Sequence, residues 1–294
     1  MAQQSLTGSS TRFRIEHSIG RTTLYVLVVS LCVMFGFPLF WTLMSSLKTI
    51  PEMFTYPPLL VPASPQWVNY WEVLNISYPV GRWFLNTVII TALVTSGTVI
   101  TASLVAYSFA RFEYRGRDIL FMITLATIML PAEVTLIPQF VLFHKLGWIN
   151  TIKPLWVPHW FGGGAFAIFL MRQFFMTLPR DLDEAALIDG AGYLRIFWSI
   201  LLPLCKPILA TLAIISLIAT WSDFLGPLIY LNSPEKFTIS VGLQFFNAVP
   251  EVGGQPMQHL LMAACVMSII PVIAIFFLGQ RFFVQGITMT GIKG

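Results

Sequence analysis

The sequence predicts an all-α membrane protein with six transmembrane helices and both termini in the cytoplasm. Hydrophobic residues make up 56% of its 294 positions and charged residues only 10%, whereas a soluble domain carries about 25% charged residues. Six mostly apolar stretches reach the length of about 20 residues that a helix needs to cross a bilayer. Lysine and arginine are concentrated in alternate connecting segments, which is the pattern of cytoplasmic loops.

The six predicted spans differ in their interruptions. Pro131 and Pro138 should kink the third span, because proline lacks a backbone donor and clashes with the preceding turn. The glycines at 162–164 mark a flexible or closely packed point in the fourth span. The spans are predicted at 22–46, 83–110, 118–143, 155–175, 204–230 and 259–282.

The distribution of basic residues predicts the orientation. With the amino terminus inside, the inside segments hold twelve lysine and arginine residues and the outside segments hold five. Because cytoplasmic loops carry the excess of positive charge, both termini and the loop at 177–203 are expected in the cytoplasm. The inside residues are Arg12, Arg14, Arg21, Arg111, Arg115, Arg117, Arg172, Arg180, Arg195, Lys206, Arg281 and Lys293; the outside residues are Lys48, Arg82, Lys145, Lys153 and Lys236.

The remaining segments frame a core domain at 83–282, and no second domain or internal repeat is visible. The Ser/Thr-rich residues 1–21 are expected to form a mobile cytoplasmic tail, and residues 283–294 a second one that either contacts a partner or is disordered. Outside, six prolines at 47–82 favour an extended, ordered loop over a helix. Aromatic residues in that loop are expected either to anchor it at the membrane interface or to face a partner.

A short polar stretch in the loop at 177–203 predicts two short helices. Asp181 can cap the first helix, and Glu184 three positions later completes a capping-box pattern. Gly190 and Gly192 end this helix, since glycine accepts the left-handed conformation of a helix stop. A second amphipathic run follows at 193–202. The small residues on the first helix would let another protein approach its backbone closely.

The spacing of this stretch resembles the coupling loop of membrane subunits of bacterial binding-protein-dependent ABC importers. The pattern is Glu-Ala-Ala, three residues, Gly, nine residues, Ile-x-Leu-Pro, and every fixed position is filled. The resemblance implies that the loop docks on the ATPase subunit and transmits its motion. The alternative is an ordinary helical connection between spans. The coupling residues implied are Glu184, Ala185, Ala186, Asp189, Gly190, Ile200, Leu202 and Pro203.

The resemblance extends over roughly 86–243, including Asn86-Thr87, the run at 106–112 and Trp221-Ser-Asp223. The run at 174–179 resembles the carbohydrate-uptake branch, in particular the smaller permease subunit of maltose-type and glycerol-phosphate importers. It implies a type I ABC importer fold in the bacterial cytoplasmic membrane. The implied partners are a homologous second permease subunit, two ATPase subunits and an extracytoplasmic solute-binding protein. The implied substrate is a sugar, an oligosaccharide or a related polyol or sugar phosphate.

The sequence carries no chemistry of its own for hydrolysing ATP. No glycine precedes a lysine, so the phosphate-binding P-loop motif does not occur. The resemblance therefore assigns ATP and Mg²⁺ to the partner ATPase subunits, and no cofactor to this chain. The three cysteines and four histidines show no metal-ligand spacing. No clustered basic face indicates binding to nucleic acid.

Two acidic residues lie within apolar runs, Glu133 and Asp223. A charge at the centre of a membrane helix costs about 2.5–3.5 kcal/mol on insertion scales, so each should face a cavity, find a partner or lie near the membrane surface. Together with Trp221, Asp223 would suit a sugar, whose ring stacks on an indole and whose hydroxyls donate to a carboxylate. The alternative function is an ion-coupled secondary transporter that uses Glu133 and Asp223 as a proton relay.

Overall fold

The computed structural model describes residues 7–75, 78–248 and 257–291, with side chains at 21–75, 78–244 and 257–280. These residues form helices and loops and contain no strand, which confirms the all-α prediction. The chain divides into two compact units, Met1–Val73 with Glu251–Val266 and Leu74–Pro250 with Met267–Gly294. This division was not visible in the sequence, because each unit joins segments that are distant along the chain.

The first unit contains three helices in its amino-terminal part, and they correct two expectations. Helix α1 (Thr7–Ser46) begins well before the predicted span, so residues 7–20 are helical where a tail was expected. Helices α2 (Ile50–Met53) and α3 (Val68–Asn75) lie within the loop that was expected to contain none. Helix α3 forms because the prolines of the loop stop at Pro65 before it and resume at Pro79 after it.

The loop at 47–82 is ordered, as predicted, and a buried lysine holds its start. Lys48 Nζ donates to the carbonyl oxygen of Leu59 at 2.6 Å and lies 4.1 Å from the centre of the Trp41 ring. Asn69 Nδ2 donates to the carbonyl oxygens of Ser46 and Lys48 at 2.8 and 3.0 Å. These bonds satisfy backbone groups that would otherwise be buried without partners.

The second unit is built around helix α4 (Val80–Arg111), which packs against α8 and α12. Small residues of α4, Ala102 and Ala106, lie in the core with Met171 and Phe175 of α8. The other helices are α5 (Arg117–Ala126), α6 (Ala132–Lys145), α7 (Lys153–Trp156), α8 (Ala165–Thr177), α9 (Asp181–Ile188), α10 (Tyr193–Ile196), α11 (Leu202–Leu204), α12 (Lys206–Trp221), α13 (Leu225–Tyr230) and α14 (Ile239–Ala248). Short 3₁₀ turns occupy Thr127–Met129, Val157–Trp160 and Pro234–Lys236, and a π turn occupies Phe197–Leu201.

Among the described residues, three helical stretches are long and apolar enough to cross a membrane unbroken: Arg21–Ser46, Val80–Arg111 and Gln258–Gln280. The last belongs to α15 (Gln258–Gly291), so residues 283–291 continue a helix where a tail was expected. Three further helix pairs are bent by 99°, 76° and 81°, and the chain has up to six spans if each bent pair crosses once. The 99° bend falls between Met129 and Ala132, at the predicted Pro131, whereas Pro138 lies inside the continuous helix α6.

The predicted span at 204–230 is not one helix. Helix α12 ends at Trp221, and the helical path resumes only at Leu225 in α13. Pro227 explains the break, because in a continuous helix its ring would clash with the carbonyl of Asp223, four residues earlier. The Asp223 carboxylate accepts a hydrogen bond from the backbone N–H of Gly226 at 3.3 Å and so replaces a lost backbone partner.

The glycines at 162–164 mark a point of close packing. All three have positive φ, and a Cβ atom on Gly163 would lie 2.6 Å from the carbonyl oxygen of Thr98 on α4. The segment before α8 therefore lies directly against α4. Of the two interpretations open from the sequence, the structure supports close packing.

We expect Gly242→Ala to destabilise the second unit. The added Cβ atom would overlap the ring of Trp83, which is fully buried and whose Nε1 donates to the carbonyl oxygen of Pro234 at 2.7 Å. Overpacking of this kind costs about 1–3 kcal/mol. Gly81→Ala is the matched control, since nothing lies within 4 Å of its added Cβ atom. Thermal unfolding of the purified protein in detergent measures both, and equal melting temperatures for the two variants would contradict this packing.

Candidate functional site

A cap at Asp181 would require α9 to begin at residue 182, but the helix already begins at Asp181. Arg180 occupies the cap position with a helical backbone, and no side chain caps the helix. The backbone N–H groups of Asp183 and Glu184 donate instead to the carbonyl oxygen of Arg180, at 2.9 and 3.2 Å. The predicted capping box is therefore wrong, because Asp181 already lies inside the helix. Its charge still favours this end of the helix through the dipole.

Helix α9 stops at Gly190, as predicted. Gly190 has φ +78°, its N–H donates to the carbonyl oxygen of Leu187 at 3.0 Å, and the N–H of Ala191 donates to that of Ala186 at 2.9 Å. These two bonds form a Schellman motif, which satisfies the last carbonyl groups of a helix. Gly192 does not share this role: its backbone is extended, and it is the residue before α10.

The second half of the loop turns its large side chains inward. Ile196, Phe197 and Leu201 are buried, while Pro203 is exposed and Ile200 and Leu202 are half-buried. Their segment combines helix α10, the π turn and helix α11, and the chain then bends by 81° into α12. A π turn widens the helix by one residue and is frequent at functional sites.

An aromatic cluster attaches the loop to the end of α4. The Tyr107 ring lies 5.2 Å from the ring of Phe197 and 6.0 Å from that of Phe175. The Tyr107 hydroxyl donates to the carbonyl oxygen of Tyr193 at 3.4 Å, and the Tyr193 ring meets Phe112 edge-on at 5.1 Å. Tyr107 and Phe112 belong to the 106–112 run that the sequence analysis singled out, although no contact could be assigned to them from the sequence.

A largely buried ion pair joins the same two elements. Arg111 Nε lies 3.3 Å from Asp183 Oδ2, and the two side chains are only 6% and 17% exposed. Arg111 also donates to the carbonyl oxygen of Leu178 at 3.1 Å. Burial raises the pKa of Asp183, and the nearby Arg111 and Arg180 oppose this shift. Arg111 therefore compensates a carboxylate that is costly to bury.

The opposite face of the loop is exposed and apolar. Ile188 is 86% exposed, and Leu187, Leu194 and Trp198 are also exposed, next to the small residue Ala185. Glu184, Asp189 and Gly190 lie on this exposed surface, whereas Ala186 is buried. An apolar face on a rigidly attached pair of helices is suited to docking in a hydrophobic cleft of another protein. Ile188 and Leu194 occupy positions that the Glu-Ala-Ala, Gly, Ile-x-Leu-Pro pattern leaves unspecified. The sequence pattern therefore did not indicate that these two side chains are exposed.

The candidate substrate-path residues Asp223 and Trp221 line different cavities. Asp223 lines a cavity of about 180 Å³ together with Thr87, His159, Thr220 and Thr238. This is a polar pocket with one carboxylate, one imidazole and three hydroxyl groups, so it can hydrogen-bond a polyhydroxylated molecule.

Trp221 faces elsewhere. Its Nε1 donates to the carbonyl oxygen of Ser268 at 3.1 Å, and its ring packs edge-on against Phe84 at 5.8 Å. It lines an apolar groove of about 620 Å³ with Pro271 and Ile275. The expectation that Trp221 and Asp223 would act together on a sugar ring is therefore wrong, because the helix break after Trp221 turns the two side chains into different cavities.

Glu133 is exposed in the first turn of α6, where the helix dipole favours an acidic residue. Asp223, in contrast, lies in the polar pocket, and Glu133 does not line that pocket. Among the described residues, no group of three or more histidine, cysteine, aspartate or glutamate side chains could hold a metal ion.

The fold and the site define a class: an all-helical, multi-span membrane protein that presents a compact two-helix docking loop. Residues 98–289 match the family described as binding-protein-dependent transport system inner membrane component, and the chain belongs to this family. It is a permease subunit of an ABC importer.

Characterised relatives and a solved structure agree with the family. The chain is 32% identical over 281 residues to the arabinooligosaccharides transport system permease protein AraQ of Bacillus subtilis (strain 168), covering 95% of this chain and 98% of AraQ. It is 32% identical over 268 residues to the sn-glycerol-3-phosphate transport system permease protein UgpE of Yersinia enterocolitica, covering 90% and 94%. A chain of a bacterial ABC transporter involved in the import of the acidic polysaccharide alginate superimposes with a TM-score of 0.82 at 26% identity, covering 91% and 98%.

We expect Arg111→Ala to lower the melting temperature of the purified protein strongly. The substitution leaves the Asp183 carboxylate buried without its cation and removes the bond to Leu178, at a cost of about 2–4 kcal/mol. Arg180→Ala is the control, because its ion pair with Glu113 at 3.2 Å joins side chains that are 56% and 75% exposed. Such surface pairs contribute about 0–1 kcal/mol.

The pH dependence of stability tests whether the Asp183 carboxylate causes the destabilisation of Arg111→Ala. Without Arg111 the pKa of Asp183 should rise further above its ordinary value, so the folded state binds a proton more tightly than the unfolded state. Stability then increases as the pH falls through the raised pKa of Asp183 toward its ordinary value, so the deficit of Arg111→Ala should shrink as the pH is lowered. A deficit that stays constant as the pH is lowered would show that Asp183 is not its source.

Proposed function

We propose that this permease subunit forms half of the translocation pathway of an ATP-driven importer for a sugar or oligosaccharide, or for a related polyol or sugar phosphate. The substrate class follows the relatives, which are named for arabinooligosaccharides and sn-glycerol-3-phosphate. The observation that carries the mechanism is the docking loop, whose inner face is fixed to α4 and whose outer face is apolar and uncovered.

The loop at 184–203 couples the pathway to an ATPase subunit. Its exposed residues, with Ile188 the most exposed, would enter a cleft on that subunit. A displacement of α9 would then pass to α4 through Asp183 and Arg111, and from α4 to α8 through Tyr107 and Phe175. Because packed interiors resist compression, such a displacement would move the helices as a group.

The energy for transport would come from ATP hydrolysis in partner subunits. It lacks a P-loop, so ATP and Mg²⁺ would bind to two partner ATPase subunits, and this chain would bind no cofactor. A solute-binding protein would deliver the substrate from outside. A homologous second permease subunit would complete the pathway and cover apolar surface. The side chains of α1 at 21–40 are exposed, so lipid or that subunit would surround them.

The proposed topology has six spans across the bacterial cytoplasmic membrane and both termini inside. At the 76° and 81° bends the chain would leave and re-enter the membrane, so that α9 and α10 would lie on the cytoplasmic side. The twelve-to-five distribution of basic residues supports this orientation. The cavity around Asp223 and His159 would lie along the substrate path, where its hydroxyl groups and carboxylate could bind sugar hydroxyls. A proton relay between Glu133 and Asp223 has less support, since Glu133 is exposed and lies outside that cavity.

We expect Gly190→Val to abolish most substrate uptake while the protein still inserts in the membrane. A β-branched residue at φ +78° is strained by about 1–2 kcal/mol, so the Schellman motif should open and the end of α9 should shift. Gly192→Val is a matched control, because its backbone at φ −75° and ψ 158° suits valine and the position is also exposed. Uptake and substrate-stimulated ATP hydrolysis in reconstituted complex measure the effect. Equal transport by the two variants would mean that the loop is only a connector.

A further inference from the structure

Four arginine side chains line one small cavity at the end of the second unit. The cavity has a volume of about 150 Å³ and lies where α4 and α8 end and α5 begins. Its arginines are Arg111, Arg117, Arg172 and Arg180, and no acidic side chain lines it. Four guanidinium groups around one space strongly favour an anion there, because each repels the others unless negative charge is present.

Arg172 is the most informative of the four. Its Nε donates to the carbonyl oxygen of Phe109 at 3.3 Å, and its guanidinium carbon lies 4.1 Å from the centre of the Phe121 ring. These contacts hold the guanidinium between α4 and α5. Among the ion pairs of the described residues, none includes Arg172.

The other three arginines have carboxylate neighbours, but two of these neighbours are well exposed. Asp118 pairs with Arg117 at 2.9 Å, and Glu113 pairs with Arg180 at 3.2 Å, both on the solvent side. Asp183 pairs with Arg111 as described above. Exposed pairs are weak and screened by salt. The cavity therefore keeps an excess of positive charge even after these three acids are counted.

The surface next to the cavity is apolar. Arg117 is the first residue of α5, and the α5 residues Ile119, Leu120, Met122 and Ile123 are exposed. Met176, at the end of α8, both lines the cavity and is exposed. A cationic cavity beside an uncovered apolar helix face matches an amphiphile with an anionic head and a hydrocarbon tail better than it matches a soluble anion.

We propose that this arginine cavity binds the phosphate of an anionic phospholipid headgroup, with the acyl chains along α5. Arginine binds phosphate through two parallel N–H donors, and basic pockets between membrane helices at the cytoplasmic side are suited to lipid headgroups. Free phosphate shares the same chemistry and is the other source to be tested. The inference goes beyond the proposed function, and its readout does not depend on transport.

The test is the melting temperature of the purified importer complex in detergent, titrated separately with phosphatidylglycerol, phosphatidylcholine and inorganic phosphate. A ligand that binds only the folded state raises the melting temperature as its concentration rises. We expect phosphatidylglycerol to raise it more than phosphatidylcholine does. An equal rise with inorganic phosphate would support the same anion site with a soluble ligand. If none of the anions stabilises the wild-type complex beyond phosphatidylcholine, the proposal is wrong.

Variants locate the site. Arg117→Gln with Arg172→Gln should remove most of the phosphatidylglycerol-dependent shift, while Arg115→Gln should retain it. Arg115 is the control, because it is an exposed arginine two positions before Arg117 and does not line the cavity. A shift that persists in the double variant, or that is lost equally in Arg115→Gln, would overturn the assignment. The wild-type comparison of lipids remains decisive even if the double variant is unstable.

Discussion

The structure depends above all on how the last turn of α4 holds the first turn of α9. Arg111 lies beside Asp183 in a place where both side chains are nearly covered, and it also binds the carbonyl oxygen of Leu178. A carboxylate in this position is costly to desolvate, which is why its pKa is raised. Removing either charge would leave the other unpaired, so the pair fixes the position of α9 more strictly than it adds stability.

The packing around this ion pair also joins α4 to α8 and to the π turn of the loop. Tyr107 contacts Phe175 of α8 and Phe197 of the π turn, so three segments meet at one ring. The Schellman motif at Gly190 keeps the end of α9 fixed, and the bend before α12 begins directly after Pro203 and Leu204. The outward surface carries the apolar side chains of Leu187, Ile188, Leu194 and Trp198 beside the charged Glu184 and Asp189. One face of the loop is thus built for attachment and the other for docking.

The sequence predicted the helical class, the apolar stretches, the helix stop at Gly190 and the break at Pro131, because each depends on local chemistry. It failed at two local features, the start of α9 and the break before α13, and at contacts between residues that are distant along the chain. The cap at Asp181 was wrong because the backbone carbonyl of Arg180 serves as the helix start, and Pro227 broke a span that hydropathy alone made continuous. Trp221 and Asp223 are two residues apart, yet the break sends them to different cavities. The partner of Arg111 lies 72 positions further along the chain (183 minus 111) and was invisible to any local pattern.

The most direct measurement of the central claim is a crosslink from the exposed face of α9. Ile188→Cys, in a background without Cys32, Cys205 and Cys265, would be treated with a reagent that joins a thiol to an amine in the assembled complex. The account predicts a crosslink to an ATPase subunit in inside-out membranes and no reaction with an impermeant thiol reagent outside intact cells. Ser64→Cys, in the loop that we propose to lie outside the membrane, should show the reverse. Labelling of Ile188→Cys from outside, or no crosslink to the ATPase, would contradict the account.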